Sequence, residues 1–176
     1  MSEPGRPVNG LEWRPDAPAT EFLLERGQIE RVVPDPDHAR TIIGEARRHL
    51  RSARLLAGTD DTAAAFVTAH DAARKALSAM LAVQGLRTRG GDGGHRVLGE
   101  LMQAQLPRER QVLREFDWMR QKRNDTEYRD PERPTATVQD VEDGIVAAER
   151  IVDLGERFVA GRQPGAGRQP GRAASR

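Results

Sequence analysis

The sequence predicts an all-α fold, an antiparallel bundle of five to six helices in one domain. Every strong apolar periodicity in the chain has the 3.6-residue repeat of a helix, and no segment alternates β-branched and polar residues as a strand would. Only 4% of the 176 residues are aromatic whereas 31% are charged, so the core must consist mainly of small aliphatic side chains.

The first three predicted helices cover residues 20–32, 37–57 and 60–84. Prolines close the first helix, and Gly58 ends the second. The third is rich in alanine, and its small residues share one helix face: Ala65, Ala69, Ala72, Ala76, Ala79 and Val83. Small side chains let a neighbouring helix approach closely, so we expect this helix at the centre of the bundle.

Three further helices are predicted over residues 95–105, over residues 108–128 and from Thr137 onward. The glycine-rich segment 87–94 that precedes them is predicted to be a loop. Thr137 and Asp140 have the spacing of a capping box, in which each residue's side chain binds the other's backbone N–H. This pair should fix the start of the last helix.

Composition divides the chain into three parts. Residues 1–18 form an irregular N-terminal segment, residues 19–160 form the helical domain, and residues 161–176 form a basic tail of glycine, proline and arginine. The tail repeats Gly-Arg-Gln-Pro and has too little apolar surface to offset the entropy of ordering, so it is predicted to be disordered.

Several function classes are excluded by what the sequence lacks. Without cysteine there can be no disulfide framework, thiolate nucleophile, zinc ribbon or iron–sulfur cluster. The longest apolar runs, such as residues 63–67, are far shorter than the ~20 residues that a membrane span needs. Residues 1–19 carry charges, proline and glycine where a signal peptide is apolar. We therefore expect a cytoplasmic protein with no cofactor and no membrane association.

The formal charge of +1 is the sum of segments of opposite sign. Residues 85–123 hold nine basic and five acidic side chains, whereas residues 124–160 hold four basic and ten acidic ones. Of the 28 basic residues only Lys75 and Lys122 are lysine. Arginine suits phosphate recognition because its planar fork binds two oxygens at once. Codon composition is the alternative explanation for this arginine usage.

The fifth predicted helix contains a charge where a core residue is expected. Val112, Phe116 and Met119 follow the apolar spacing, and Arg123 continues it. An arginine that faces the core near a helix end is a candidate for binding an anion.

The segment from Arg120 to Tyr128, which reads RQKRNDTEY, resembles the signature of the HEPN superfamily, helical bundles in which an arginine precedes a histidine by four to six residues at a helix end. The alanine-rich segment 69–77 is similar to the helix that carries a second polar position in many members. The resemblance spans residues 36–160 and implies a metal-independent endoribonuclease that acts as a homodimer. It also implies RNA as a partner and, in toxin–antitoxin or defence systems, a nucleotidyltransferase-like antitoxin.

On this resemblance, Arg123 and Tyr128 are the catalytic candidates, and Arg120, Lys122 and Asn124 would bind RNA phosphates. The chain departs from the pattern because Tyr128 stands where the histidine belongs, and no histidine follows His95. An unperturbed tyrosine is a poor base at neutral pH, although its hydroxyl can donate a hydrogen bond.

The same residues have an ordinary structural interpretation. Arg123 could pair with Glu127 one turn further along the helix, and Tyr128 could pack as an aromatic at the edge of the core. Asp71 could orient Arg123 across the bundle or pair with a basic residue of its own helix.

His95 is a supporting candidate because it stands at a predicted helix N-terminus. The helix dipole there disfavours the charged imidazole and so favours a neutral base. A capping or solvent-facing histidine is the alternative interpretation.

Two other patterns are predicted to have no chemistry. The glycine-rich run 90–94 lacks the Lys-Ser/Thr ending of a P-loop and follows no predicted strand, so it indicates a linker. Glu45 and His49 are one turn apart, but no third ligand for a metal ion is evident.

Two functions remain as hypotheses. The first is an RNA-directed protein, a toxin or defence-type endoribonuclease with altered chemistry. The second is a non-catalytic binding or regulatory bundle that dimerises and binds a nucleotide or protein partner. A DNA-binding helix-turn-helix fits less well, because no short turn joins two helices of suitable length.

Overall fold

The computed structural model describes residues 6–90, 94–127 and 136–162, and these residues form a mainly helical bundle, as predicted. The described residues contain six α-helices: α1 (Pro18–Glu25), α2 (Pro36–Leu56), α3 (Thr62–Ala82), α4 (Gly94–Gln105), α5 (Arg110–Glu127) and α6 (Val138–Gly161). Residues 91–93 of the predicted loop 87–94, residues 128–135 and residues 163–176 of the basic tail lie outside the described residues.

Helix α3 lies at the centre of the bundle, which confirms the prediction from its small residues. It packs against α2 and α6 along most of its length and also contacts α4 and α5. Ala65, Ala69, Ala72, Ala76 and Ala79 are fully buried in these contacts. The stripe of small residues is therefore covered within one chain and offers no surface for a second copy.

Side-chain caps fix the starts of the long helices. Asp35 accepts a hydrogen bond from the backbone N–H of His38 at the start of α2, and Asp61 does the same for Ala64 at the start of α3. The predicted capping box at the start of α6 is confirmed, because Thr137 and Asp140 bind each other's backbone N–H groups.

The prediction of the first helix, over residues 20–32, is wrong in its second half. Helix α1 ends at Glu25, and the chain then forms strand β3 (Ile29–Arg31), which pairs antiparallel with β4 (Leu86–Thr88). β4 lies in the segment predicted to be a loop. The burial of Ile29 explains the strand. Its side chain was assigned to a helix face from the sequence, but it is only 1% exposed and reaches the core from an extended chain.

Gly85 makes the passage from α3 into β4 possible. Its φ is +75°, and a Cβ atom at this position would lie 2.6 Å from the carbonyl oxygen of Val32. Glycine adopts this conformation without steric cost, and any larger residue would push β3 away.

The segment expected to be irregular, residues 1–18, contains a β-hairpin in its described part. Strands β1 (Arg6–Val8) and β2 (Leu11–Trp13) pair antiparallel around Asn9 and Gly10. Both turn residues have positive φ, +47° and +80°, as a type I′ turn requires. Asn-Gly between apolar residues is a strong hairpin signal, so the composition-based expectation was wrong here.

The hairpin is part of the core rather than an appendage. The Trp13 ring meets Phe158 of α6 edge to face at 5.6 Å, and the Arg162 guanidinium lies 4.3 Å from the centroid of the Trp13 ring. The backbone N–H of Arg14 donates to the carbonyl of Gln105 at 2.8 Å, which joins the hairpin to the end of α4.

Pro107 does not open α5 directly. It begins a short 3₁₀ turn, Pro107–Glu109, after which α5 starts at Arg110. Among the described residues, none of the helices has the length and apolarity needed to cross a membrane.

Candidate functional site

The inward face of α5 ends in a polar group, as its sequence predicts. Phe116 and Met119 are fully buried, and Arg123, one turn beyond Met119, is half-buried. The positive charge of Arg123 acts on His70 of α3. The site is therefore built where α5 meets the central helix.

His70 is fully buried in the middle of the molecule. Its ring stacks on Phe116 at 5.2 Å between centroids, with an angle of 12° between the ring planes. Within the described part of the chain, neither ring nitrogen has a hydrogen-bond partner. Burial is the main cause that lowers the pKa of His70 to about 3, and the nearby charges of His95 and Arg123 lower it further. His70 is therefore neutral at physiological pH.

A neutral buried imidazole still carries one N–H donor and one acceptor nitrogen. Leaving such a group unsatisfied costs roughly 1–3 kcal/mol, a cost that an apolar side chain would avoid. Sequence analysis did not single out His70, because it lies within the alanine-rich segment 69–77, directly after Ala69 of the small-residue stripe. The available signal was a histidine among the apolar residues of a helix that is predicted to be central.

His95 reaches the same place from a third helix. It is the second residue of α4, where the backbone N–H groups of the first turn point outward from the helix end. Its half-buried ring lies 5.6 Å from the ring of His70, centroid to centroid, at an interplanar angle of 49°. The structure thus brings His70, His95 and Arg123 together from α3, α4 and α5, and we call them the His-His-Arg cluster.

Asp71 does not orient Arg123 in this structure. Its carboxylate accepts a hydrogen bond from Arg74 Nε at 2.9 Å and lies 3.4 Å from His49 Nδ1, so it faces α2. Burial raises the pKa of Asp71, but the hydrogen bond from Arg74 and the charges of Arg74, His49 and Lys75 outweigh it and lower the pKa overall. The alternative interpretation, pairing with its own helix, describes the observed contacts.

Other candidates of the α5 segment differ in their surroundings. Lys122 Nζ lies 2.9 Å from the Asp140 carboxylate, so its charge links α5 to the capping box of α6. Arg120 and Asn124 are half-buried, and the Nε of Arg120 is buried without a hydrogen-bond partner. Tyr128 and the Glu127 side chain lie outside the described residues.

The described residues show no cluster of three or more His, Asp or Glu side chains that could hold a metal ion. Glu45 binds Lys75 at 2.7 Å, and His49 faces Asp71. These two side chains therefore have separate partners. Of the glycine run 90–94, residues 91–93 fall outside the described part of the chain.

Comparison with known proteins identifies a family. Residues 39–158, most of the chain, match the family model of the HEPN domain. No curated protein and no solved structure matches the chain. The matched range runs from α2 into α6, so it includes the three helices that carry the His-His-Arg cluster, whereas the hairpin, α1 and β3 precede it.

Proposed function

This chain belongs to the HEPN domain family, and on that premise we propose that it acts on RNA through a phosphate-binding site centred on Arg123. The observation that carries the proposal is the position of Arg123, which follows Phe116 and Met119 on the inward face of α5 and whose charge acts on the buried His70. A guanidinium that is held in place by a rigid helix can bind a phosphate group through two parallel N–H···O hydrogen bonds.

Two neighbours of Arg123 extend this site. Arg120 and Asn124 lie one turn before it and immediately after it, and both are half-buried on α5. We do not assign a phosphate contact to Lys122, because Asp140 already neutralises it. Tyr128 keeps its proposed role as a hydroxyl donor from the sequence resemblance alone.

The biological setting that we propose follows from the family. An RNA-directed HEPN protein fits a toxin or defence role, with a nucleotidyltransferase-like protein as its antitoxin and a second copy of the chain completing the site. Growth arrest on expression, relieved by Arg123→Ala, would support the toxin role. A monomer in light scattering at tens of micromolar would contradict the shared site.

The second candidate function is a non-catalytic HEPN module that binds a nucleotide or protein partner. The substitution of tyrosine for the motif histidine favours it, since the usual base is missing at that position. The two functions differ in whether the protein changes the RNA that it binds.

RNA binding tests the proposed function directly. Binding of fluorescent single-stranded RNA should weaken as salt rises from low to physiological concentration, because phosphate contacts release counterions. Arg123→Ala should weaken binding about 10- to 100-fold, corresponding to the loss of a charge-assisted hydrogen bond of roughly 1.5–3 kcal/mol, without lowering the thermal midpoint.

Arg114→Ala is the matched control for this experiment. Arg114 is an exposed arginine of the same helix, and its removal changes the net charge by the same amount. It should leave RNA binding nearly unchanged. A stable Arg123→Ala variant that binds RNA as tightly as the parent would overturn the proposal.

A further inference from the structure

We propose that His95 is the general base for RNA cleavage in this protein and that the buried His70 is the residue that positions it. This inference rests on the proposed function, since it assigns the chemistry of the site at Arg123. In this proposal His95, on α4, supplies the imidazole that is missing at the end of α5.

The placement of the three side chains carries the inference. His95 is half-buried, and its ring lies 5.6 Å from the ring of the fully buried His70, centroid to centroid. Arg123, also half-buried, is close enough for its charge to act on the neighbouring His70. A phosphodiester held by Arg123 would therefore lie next to an imidazole, which is the group best suited to proton transfer near neutral pH.

His70 has the features of a positioning residue. It is held rigidly, because its ring is fully buried and stacked on Phe116. Both its nitrogens lack partners although it is surrounded by protein, and its ring centroid is 5.6 Å from that of His95. An N–H···N bond between the two rings would fix the tautomer of His95.

The charges that act on His70 come from three helices. Those of His95 on α4, Arg123 on α5 and Arg74 on α3 lower its pKa, whereas the charge of Asp71, which Arg74 binds, raises it. His95 also stands in the first turn of α4, whose dipole disfavours an added positive charge.

The proposed step is an internal transesterification of RNA. His95 takes the proton of a ribose 2′-hydroxyl, and the resulting oxygen attacks the adjacent phosphorus. The bond from phosphorus to the 5′-oxygen breaks, and that oxygen takes a proton from water. The products are a 2′,3′-cyclic phosphate and a 5′-hydroxyl, and Arg123 stabilises the negative charge that accumulates on the phosphate oxygens.

Cleavage and binding measured on the same full-length samples test this assignment. With single-stranded RNA, His95→Gln should lower the cleavage rate about 100-fold or more, in the range that loss of a general base produces, while leaving RNA affinity unchanged. His38→Gln, at an exposed histidine of α2, is the matched control and should cleave like the parent. RNA with 2′-deoxyribose should be bound but not cleaved.

His70→Leu separates positioning from packing. Leucine is close to histidine in size, so the variant should keep its fold, yet kcat should fall about 10-fold with KM unchanged, because only the orientation of the base is lost. The ring ¹⁵N shifts of His95 should report a changed tautomer. An unchanged kcat together with an unchanged tautomer would show that His70 only fills the core.

The possible failures are distinguishable. A parent protein that binds and cleaves RNA, with a His95→Gln variant that cleaves equally fast, would overturn this inference and leave the proposed function intact. A parent that binds RNA in an Arg123-dependent way but never cleaves it would overturn the inference in favour of the binding module. A parent that does not bind RNA would overturn the proposed function itself.

Titration with inorganic phosphate tests the site without any choice of RNA sequence. The ring signals of His95 and His70 should shift as phosphate is added, and those of His38 and His49 should not. Arg123→Ala should abolish the shifts. Equal shifts for all four histidines would indicate non-specific binding and would contradict the assignment.

Discussion

At the level of single residues, the most informative side chain is that of His70, because burying it without hydrogen bonds is unfavourable in free energy. On α3, His70 lies one turn after the buried Phe66 and two turns before the buried Leu77, and its two ring nitrogens have no hydrogen-bond partner among the described residues. A leucine there would satisfy the core at lower cost. Stability alone therefore does not explain this histidine, whereas a positioning role next to His95 does.

The pH dependence of stability should report the burial of His70. Its pKa is near 6.5 in the unfolded chain and is lowered to about 3 by burial in the folded protein. A lowered folded-state pKa means that its contribution is complete above pH 6.5 and is lost as pH falls toward 3. From pH 7 to pH 5 the free energy of unfolding should fall by roughly 2 kcal/mol on this account.

Urea unfolding of the parent and of His70→Leu at both pH values measures this effect. The variant should lose markedly less stability between pH 7 and pH 5 than the parent, and at pH 5 it should be the more stable of the two. His38→Gln serves as a control for removing an exposed histidine. If His70→Leu and the parent lose stability in parallel, His70 is not buried as described.

At the level of elements, the close packing of α3 and α6 depends on glycines that interrupt α6. A Cβ atom at Gly144 would lie 2.9 Å from the ring of Phe66, which is itself fully buried on α3. A Cβ at Gly155 would lie 3.1 Å from the backbone oxygen of Ala76. Glycine has a low helix propensity, but at these two positions it allows α6 to lie in close contact with the central helix.

Two alanine substitutions distinguish packing from propensity. Gly144→Ala should lower the free energy of unfolding by about 1–3 kcal/mol, because Phe66 has no space into which to move. Gly44→Ala, in the middle of α2, should raise it by roughly 0.5–1 kcal/mol, since its Cβ would meet only the end of the Arg48 side chain at 3.8 Å.

Chemical denaturation of both variants beside the parent measures this difference. The two substitutions are identical in chemistry and opposite in expected sign. Two stabilised variants would mean that α6 can move away from α3 without cost.

Sequence patterns predicted the long elements and missed the short ones for a physical reason. Helices of 21 residues, such as α2 and α3, repeat their apolar face over several turns, so the pattern is clear in one segment. Strands of three residues, such as β3 and β4, contain a single alternation and pair across a long stretch of sequence. Only the hairpin had a local signal, in Asn9 and Gly10.

The candidate site likewise has one part that the sequence could predict and one part that it could not. Arg123 could be predicted, because a charge on an apolar helix face is visible within one helix. The meeting of His70 with His95 could not, since it depends on how α3, α4 and α5 pack together. The missing motif histidine and the candidate His95 were thus evident from sequence, whereas the position of His95 beside His70 became evident only in three dimensions.

At the level of the whole molecule, charged side chains of the acidic helix α6 form ion pairs within the bundle. The acidic helix α6 is bound by arginines of α2, since Arg47 pairs with Asp153 and Glu156, and Arg54 lies 2.7 Å from Glu149. Exposed pairs of this kind contribute little each, but they neutralise both partners locally. The acidic charge of α6 is therefore partly balanced on this side of the bundle.

The C-terminal tail should add a general attraction for RNA that is separate from the site at Arg123. Residues 163–176 carry Arg168, Arg172 and Arg176 and no acidic residue. Replacing these three arginines with glutamine keeps the length of the tail and changes the formal charge of the chain from +1 to −2. The salt dependence of RNA binding, plotted as log affinity against log salt, should become less steep by about 2, from three lost phosphate contacts at roughly 0.7 each.

Combining the tail substitutions with Arg123→Ala shows whether tail and site act independently. The tail variant should weaken binding mainly at low salt, whereas Arg123→Ala should weaken it at low and physiological salt alike, because its contact is half-buried and less screened. In the combined variant the two effects should add in free energy, as they do for distant sites. If the tail variant abolishes binding while Arg123 is intact, the tail is the RNA-binding element and the site on α5 is not.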